Sequence, residues 1–301
     1  MSELFVVATP IGNLEDITHR AVRILSEVDL IAAEDTRQTK KLLTYYNINT
    51  PMTSYHKFNI KAKTGQIIDL MKEGKKIALV SDSGMPGISD PGYELIKAAH
   101  ENNITVVPIP GPSALVAALS VSGLPTESFL FYGFLPSKAT GRQRLLFSLK
   151  DRPETLIFYE SPKRLRSFLE DASRILGERQ AMVAREMTKV YEEVYRGTLS
   201  EVLKEFGEEE IKGEVTIVLE GSTLPARIAR PAIEEALELY YREMGLSMKR
   251  AIDRVSEELE VSKRDVYQES LRVKRKVRDQ AQEENLLPGK NSAKTSGEQE
   301  S

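Results

Sequence analysis

Ile77-Ala78-Leu79-Val80 runs directly into SDSGMPGISDPG at 81–92, a short apolar stretch that breaks into a long loop of glycine and proline. The same texture occurs on either side of it. Leu4-Phe5-Val6-Val7-Ala8 precedes Thr9-Pro10-Ile11-Gly12-Asn13, and Val106-Val107 precedes Pro108-Ile109-Pro110-Gly111-Pro112-Ser113-Ala114. Apolar runs rich in β-branched residues, alternating with helical stretches, are the signature of strands buried on both faces of a parallel sheet. In such sheets ligands bind outside the carboxyl ends of the strands. Three special loops on that edge predict one small-molecule site.

Working outward, residues 1–110 read as an α/β domain. Its strands fall near 4–9, 29–33, 51–55, 76–81 and 104–108. Ala21, Ile24, Leu25 and Val28 keep helical spacing, as do Ile67, Ile68 and Met71 before Gly74. Pro110-Gly111-Pro112 marks a boundary, and residues 111–223 read as a second α/β domain. Strands are expected there at 128–135, 155–160, 180–186, 190–197 and 214–220, with helices near 113–122, 141–149, 162–176 and 199–206. The runs at 180–186 and 190–197 lie too close for a crossover helix, which predicts a mixed sheet, antiparallel in part. Residues 224–284 read as a helical appendix. Pro231 starts one helix, Ser247 caps a second and Ser262 a third, and Leu259-Glu260-Val261 is about the length of a helix-turn-helix turn. The polar segment 285–301 is expected to be disordered.

Composition excludes several classes. Forty-two basic against 45 acidic side chains leave a net charge of −3, so any nucleic-acid surface must be a local patch. The chain has no cysteine, hence no disulfide, thiolate zinc site or cysteine nucleophile. Its three histidines, His19, His56 and His100, are scattered, and no metal is expected. No apolar run approaches the roughly 20 residues of a membrane span. Met1-Ser2-Glu3-Leu4 lacks the basic region of a signal peptide, so a cytoplasmic location is expected. Neither GxGxxG nor GxxxxGK[ST] occurs in the three loops, which argues against a nucleoside triphosphate.

The series ATPIGNLEDIT, AAEDTRQTKKLL, SDSGMPGISDPG, PGPSALVAAL, SGLP, GFLP, YESPKRL, AREMTKVYEE and KGE, over about 4–221, resembles the ribosomal-RNA-modifying branch of the tetrapyrrole methylase superfamily, the class III methyltransferases. The resemblance implies a two-domain class III fold with S-adenosylmethionine in the cleft between the domains. The implied reaction is 2′-O-methylation of a cytidine ribose in the decoding region of 16S ribosomal RNA or of the small ribosomal subunit. By motif position the donor would meet Pro10, Gly12, Asp82, Gly84, Met85, Ile88, Ser113 and Ala114, with Tyr132 and Ala184 from the second domain. It also implies a homodimer, to which the apolar stretch 129–134 could contribute. Two positions depart from the pattern: His56-Lys57-Phe58-Asn59 stands where histidine-glutamate-histidine-asparagine is frequent, and Lys163 where a histidine often follows YESP.

A ribose hydroxyl is a poor nucleophile until its proton is removed, which invites a general base. His56, Glu160 and Glu186 are the leading candidates, with Glu34 and Asp35 behind them. Histidine titrates nearest neutrality, which favours His56, while a helix cap would account for Asp35 without chemistry. Arg37, Lys163, Arg164, Arg185 and Lys189 are candidate phosphate contacts. So are Lys263, Arg264, Arg272, Lys274 and Arg275 at the basic end of the appendix, unless they form a solvated face. Two kinds of alternative remain open: a class III methylase acting on a tetrapyrrole, a corrin or a modified protein side chain, or a non-catalytic nucleic-acid-binding ligand sensor.

Overall fold

The computed structural model of the chain describes residues 2–206, 212–223, 230–259 and 261–286; for 230–232, 243 and 277–286 it describes the backbone alone. Two compact units are present, 1–222 and 223–301. The segment 287–301, most of the expected disordered tail, lies outside the described residues.

The first unit opens with β1 (Glu3–Val7), α1 (His19–Glu27), β2 (Leu30–Ala33), α2 (Thr36–Tyr45), β3 (Met52–Ser54), α3 (Ile60–Lys72), β4 (Ile77–Val80), α4 (Tyr93–Glu101) and β5 (Thr105–Ile109). The strands form a parallel sheet in the order β3-β2-β4-β1-β5. Alternate residues of the apolar runs feed opposite faces. Phe5, Val7, Ile31, Ala33, Ala78 and Val80 pack with Ala21, Ile24 and Leu25 of α1. Leu4, Ala32, Ile77 and Leu79 pack with Ile67, Ile68 and Met71 of α3 and Leu95 of α4. Burial on both faces is why these strands read as continuous apolar runs.

Next come α5 (Ala114–Ser122), β6 (Phe129–Phe134), α6 (Ala139–Ser148), β7 (Thr155–Glu160), α7 (Pro162–Leu176), β8 (Gln180–Arg185), β9 (Glu193–Thr198), α8 (Leu199–Glu205) and β10 (Val215–Leu219). The sheet order is β6-β7-β10-β8-β9. β6 and β7 are parallel, and the other pairs, including the closely spaced β8 and β9, are antiparallel. One face packs on α7 through Leu165, Phe168 and Leu169. The other packs on α5 through Ala118 and Leu119. Under the first face, Arg142 and Asp171 form a buried ion pair at 2.7 Å, and Gln143 and Arg174 also donate to Asp171.

The second unit contains α9 (Arg230–Glu238), a π-helical turn at Leu239–Glu243, α10 (Met248–Glu258) and α11 (Lys263–Leu286). Leu237, Ala251, Val255, Val266 and Val273 form its core. Ser247 and Ser262 cap α10 and α11, accepting from the backbone N–H of Arg250 and Asp265. Among the described residues no helix is long and apolar enough to cross a membrane.

Candidate active site

The loops leaving β1 and β4 are stitched together at their roots. Thr9 and Gly84 exchange backbone hydrogen bonds of 2.9 and 3.0 Å, and the Thr9 hydroxyl donates to the Ser81 carbonyl at 3.0 Å. Gly84 holds φ +80°, a left-handed conformation that a β-branched side chain strongly resists. The end of β2 joins through the Asp35 N–H, which donates to Asp82 Oδ1 at 2.9 Å. The third loop enters through Leu115, whose N–H donates to the Tyr159 hydroxyl of β7 at 3.1 Å. Gly12 meets the turn after β8 so closely that a Cβ would lie 2.8 Å from the Met187 carbonyl oxygen.

These contacts enclose a cleft of about 300 Å³. Ile11, Gly84, Met85, Ile88, Ser113 and Ala114 line it from the loops, and Tyr159, Glu160, Ala184, Met187 and Thr216 from the second sheet. Pro10, Gly12 and Asp82 line an adjoining hollow, with Lys189 and Glu214. Tyr132 lines neither. It stands at a register shift between Phe131 and Gly133, with its ring stacked on Phe158 at 5.8 Å.

The charged side chains that line the cleft, Asp90, Glu160 and Glu214, are all acids. Burial, and then the neighbouring Glu34 charge, push Asp90 up to about 7. Glu34 is raised by burial and by Asp82, and Asp82 by burial, which outweighs the hydrogen bond from the Asp35 N–H. No group of three or more potential metal ligands is found among the described residues. The cleft therefore suits a small ligand with an apolar plane and net positive charge.

Residues 3–203 match the model of the tetrapyrrole (corrin/porphyrin) methylases. The chain belongs to the tetrapyrrole methylase family. It is 49% identical to the ribosomal RNA small subunit methyltransferase I of Halalkalibacterium halodurans, over 88% of this chain and 93% of that one. It is 46% identical to the Bacillus subtilis protein of the same name, over 89% and 93%. With the Thermotoga maritima protein of that name, identity is 51% over 73% of this chain and 99% of the relative. Among solved structures, the fold resembles uroporphyrin-III-C-methyltransferase from Thermus thermophilus (TM-score 0.52, 20% identity, 72% of this chain and 94% of that one). It also resembles a cobalt precorrin-4 methyltransferase (TM-score 0.55, 15% identity, 73% and 95%).

Of the candidate bases in this tetrapyrrole methylase, Glu160 alone of the leading three lines the cleft. Its Oε1 accepts from the Ser161 N–H at 2.7 Å and from Arg164 Nε at 2.6 Å, while its Oε2 is buried without a partner. His56 lies beyond β3, and its Nδ1 accepts from the Phe58 N–H at 3.3 Å, which leaves the proton of a neutral ring on Nε2. Glu186 does not line the cleft. Burial would raise its carboxyl, but hydrogen bonds from Lys189 and the Glu214 N–H prevail and lower it. Asp35 caps α2 by accepting from the Arg37 N–H.

The candidate phosphate contacts divide in the same way. Arg164 holds Glu160, Arg185 pairs with Glu193, and Lys189 pairs with Glu186 and Glu214. Arg37 is engaged by Asp35 but highly exposed, and Lys163 is exposed on the first turn of α7. In the helical unit Lys263 pairs with Asp253 and Arg272 with Glu269, and Arg275 is exposed. Lys249, Lys263, Arg264 and Lys274 surround the half-exposed Tyr267 in a surface groove with one acid, Asp253. Asp90, Tyr159 and Glu214 escaped the reading of the sequence. A second acid after Asp82 in the glycine-proline loop was the signal for Asp90, but its significance depends on Glu34 and Glu214, remote in the chain.

Proposed function

We propose that the chain transfers a methyl group from S-adenosylmethionine to the 2′-hydroxyl of a cytidine ribose in the decoding region of 16S ribosomal RNA, in the cytoplasm. The observation that carries the reading is the cleft, apolar enough for adenine and with the unpartnered Oε2 of Glu160 on its wall to meet a positive charge. Its volume of about 300 Å³ lies at the lower end of small-molecule sites. The acceptor class is taken from the names of the relatives at 46–51% identity.

S-adenosylmethionine fits the residues present. Met85, Ile88, Ala114 and Ala184 offer it apolar walls, Gly84 lets the backbone approach closely, and Ser113 and the buried Oε2 of Glu160 offer polar partners. Pro10, Gly12 and Asp82 would hold its outer end. When bound it supplies a methyl group on a positively charged sulfur. The chain contributes position: in-line displacement gains most from holding the acceptor oxygen in line with the methyl carbon. Lys163 and Arg37, exposed in the first unit, and the groove around Tyr267 are the proposed RNA contacts. Against a tetrapyrrole acceptor stands that basic groove, which a small macrocycle does not need.

The test is to incubate the protein with labelled donor and small ribosomal subunits and to map ribose methylation. One modified cytidine is expected, at a rate unchanged by a chelator of divalent metals. Donor bound but never consumed would make the protein a sensor. We also propose a homodimer, supported by the exposure of Val116 and Val121 on α5 and of Phe129 on β6. Light scattering of the active protein at micromolar concentration should give twice the chain mass, and a monomeric mass would exclude it.

A further inference from the structure

If the reaction is the ribose methylation proposed above, the proton of the acceptor hydroxyl needs a destination. Three carboxylates line the cleft: Asp90, Glu160 and Glu214. Two are engaged by cations. Glu160 is gripped by Arg164, and Glu214 pairs with Lys189 at 2.9 Å. Asp90 differs in that no ion pair to it is found among the described residues.

We propose that Asp90 is the general base, its carboxylate taking the 2′-hydroxyl proton as the methyl group is transferred. The ribose oxygen forms a bond to the methyl carbon, the carbon–sulfur bond breaks, and its electron pair stays on sulfur as a neutral thioether. The proton passes to Asp90 and then to solvent, so charge balances without an oxidant, a reductant or a metal. Position supports the assignment, because Asp90 shares the cleft with Met85, Ser113 and Ala184.

The electrostatic surroundings agree. Glu34 faces Asp90 from the end of β2, Asp82 from its own loop and Glu214 from the approach to β10, and Tyr159 from β7 senses its charge. The nearby cations act on the other acids: Lys57 on Glu34, Arg37 on Asp82 and Lys189 on Glu214. Burial and these like charges hold Asp90 near 7, where a base is about half charged at neutral pH and best matched to its task.

The experiment is Asp90→Asn in the full chain, which keeps the shape of the side chain. Single-turnover methylation of small subunits should slow by roughly 10²–10⁴-fold, with donor affinity by calorimetry little changed. In the parent, kcat/KM should rise with pH through about 7, and the variant should lose that inflection. A readout independent of activity is thermal stability. Because Asp90 is raised on folding, the folded parent holds the extra proton between about 4 and 7 and loses stability as pH rises through that window. The variant should therefore melt like the parent below about pH 4, and increasingly above it as pH rises to about 8. A parental rate with the inflection retained would overturn the assignment. So would a variant that binds donor poorly yet turns over at the parental rate once saturated, which would make Asp90 a donor contact. A parent that methylates no ribose would overturn the function and this inference together, whereas an active parent with an equally active variant overturns the base alone.

Discussion

Replacing Gly12 by alanine is expected to lower the affinity for S-adenosylmethionine by about ten- to a hundredfold while the fold survives. The new Cβ would lie 2.5 Å from Lys189 Cγ, 2.6 Å from Thr188 Oγ1 and 2.8 Å from the Met187 carbonyl oxygen. The lysine stem can swing aside, but the carbonyl cannot yield without moving Met187. Ile11 and Met187 both line the cleft, so forcing the two segments apart widens it. Overpacking of this kind costs about 1–3 kcal/mol, and each 1.4 kcal/mol or so is tenfold in affinity. Gly65→Ala is the control. It lies within α3 with nothing within 4 Å of its Cβ position, and alanine should leave donor binding alone and stabilise the helix slightly. Calorimetry on the folded variants decides: equal affinities for Gly12→Ala and the parent would remove this loop from the donor site.

Truncation after Ser222 should weaken RNA binding most visibly at low salt and leave donor binding nearly unchanged. The first unit is compact by itself. The Thermotoga maritima relative, 99% of which is covered by a 221-residue alignment, is too short to carry a unit like 223–301 as well. The helical unit is therefore an addition to the methylase body, and the expectation is that it holds substrate. In its groove no ion pair to Lys249, Arg264 or Lys274 is found among the described residues, whereas Lys263 pairs with Asp253, and Arg272 beyond it with Glu269. Three phosphate contacts would change the slope of log affinity against log salt by roughly 2–3. Lys263 and Arg272 can add to this, because exposed pairs are worth about 0–1 kcal/mol and exchange readily. Superimposable salt titrations of full-length and truncated protein would reduce the basic helix to a solvated face.

Much of this was legible in the chain. Each run read as a strand is one, from Glu3–Val7 to Val215–Leu219, most plainly β1, β4, β7 and β10, which are buried almost throughout and so carry few polar interruptions. The antiparallel β8–β9 pair followed from spacing, and the caps at Ser247 and Ser262 from residue type. Tyr132 shows the limit. Its motif position suggested the donor cleft, but alternation along β6 puts it with Leu130 on the α7 side, stacked on Phe158. The register shift that follows brings Phe134 to the cleft instead, since a one-residue shift in a strand reverses which face a side chain meets.

By itself the sequence determined the strands, their loops and the edge on which a ligand would sit, since these follow from periodicity and from the local freedom of glycine and proline. Only the tertiary structure decided which charged groups are free to act. Arg164, Arg185, Lys189, Glu160 and Glu186 looked like interchangeable candidates in the chain, yet folding pairs every one of them with an opposite charge. Asp90, unremarked in its loop, is brought beside Glu34, Asp82 and Glu214, with no ion pair to it among the described residues. Coulomb interactions depend on distance in space and on exclusion of water, and neither can be read from the order of residues along a chain.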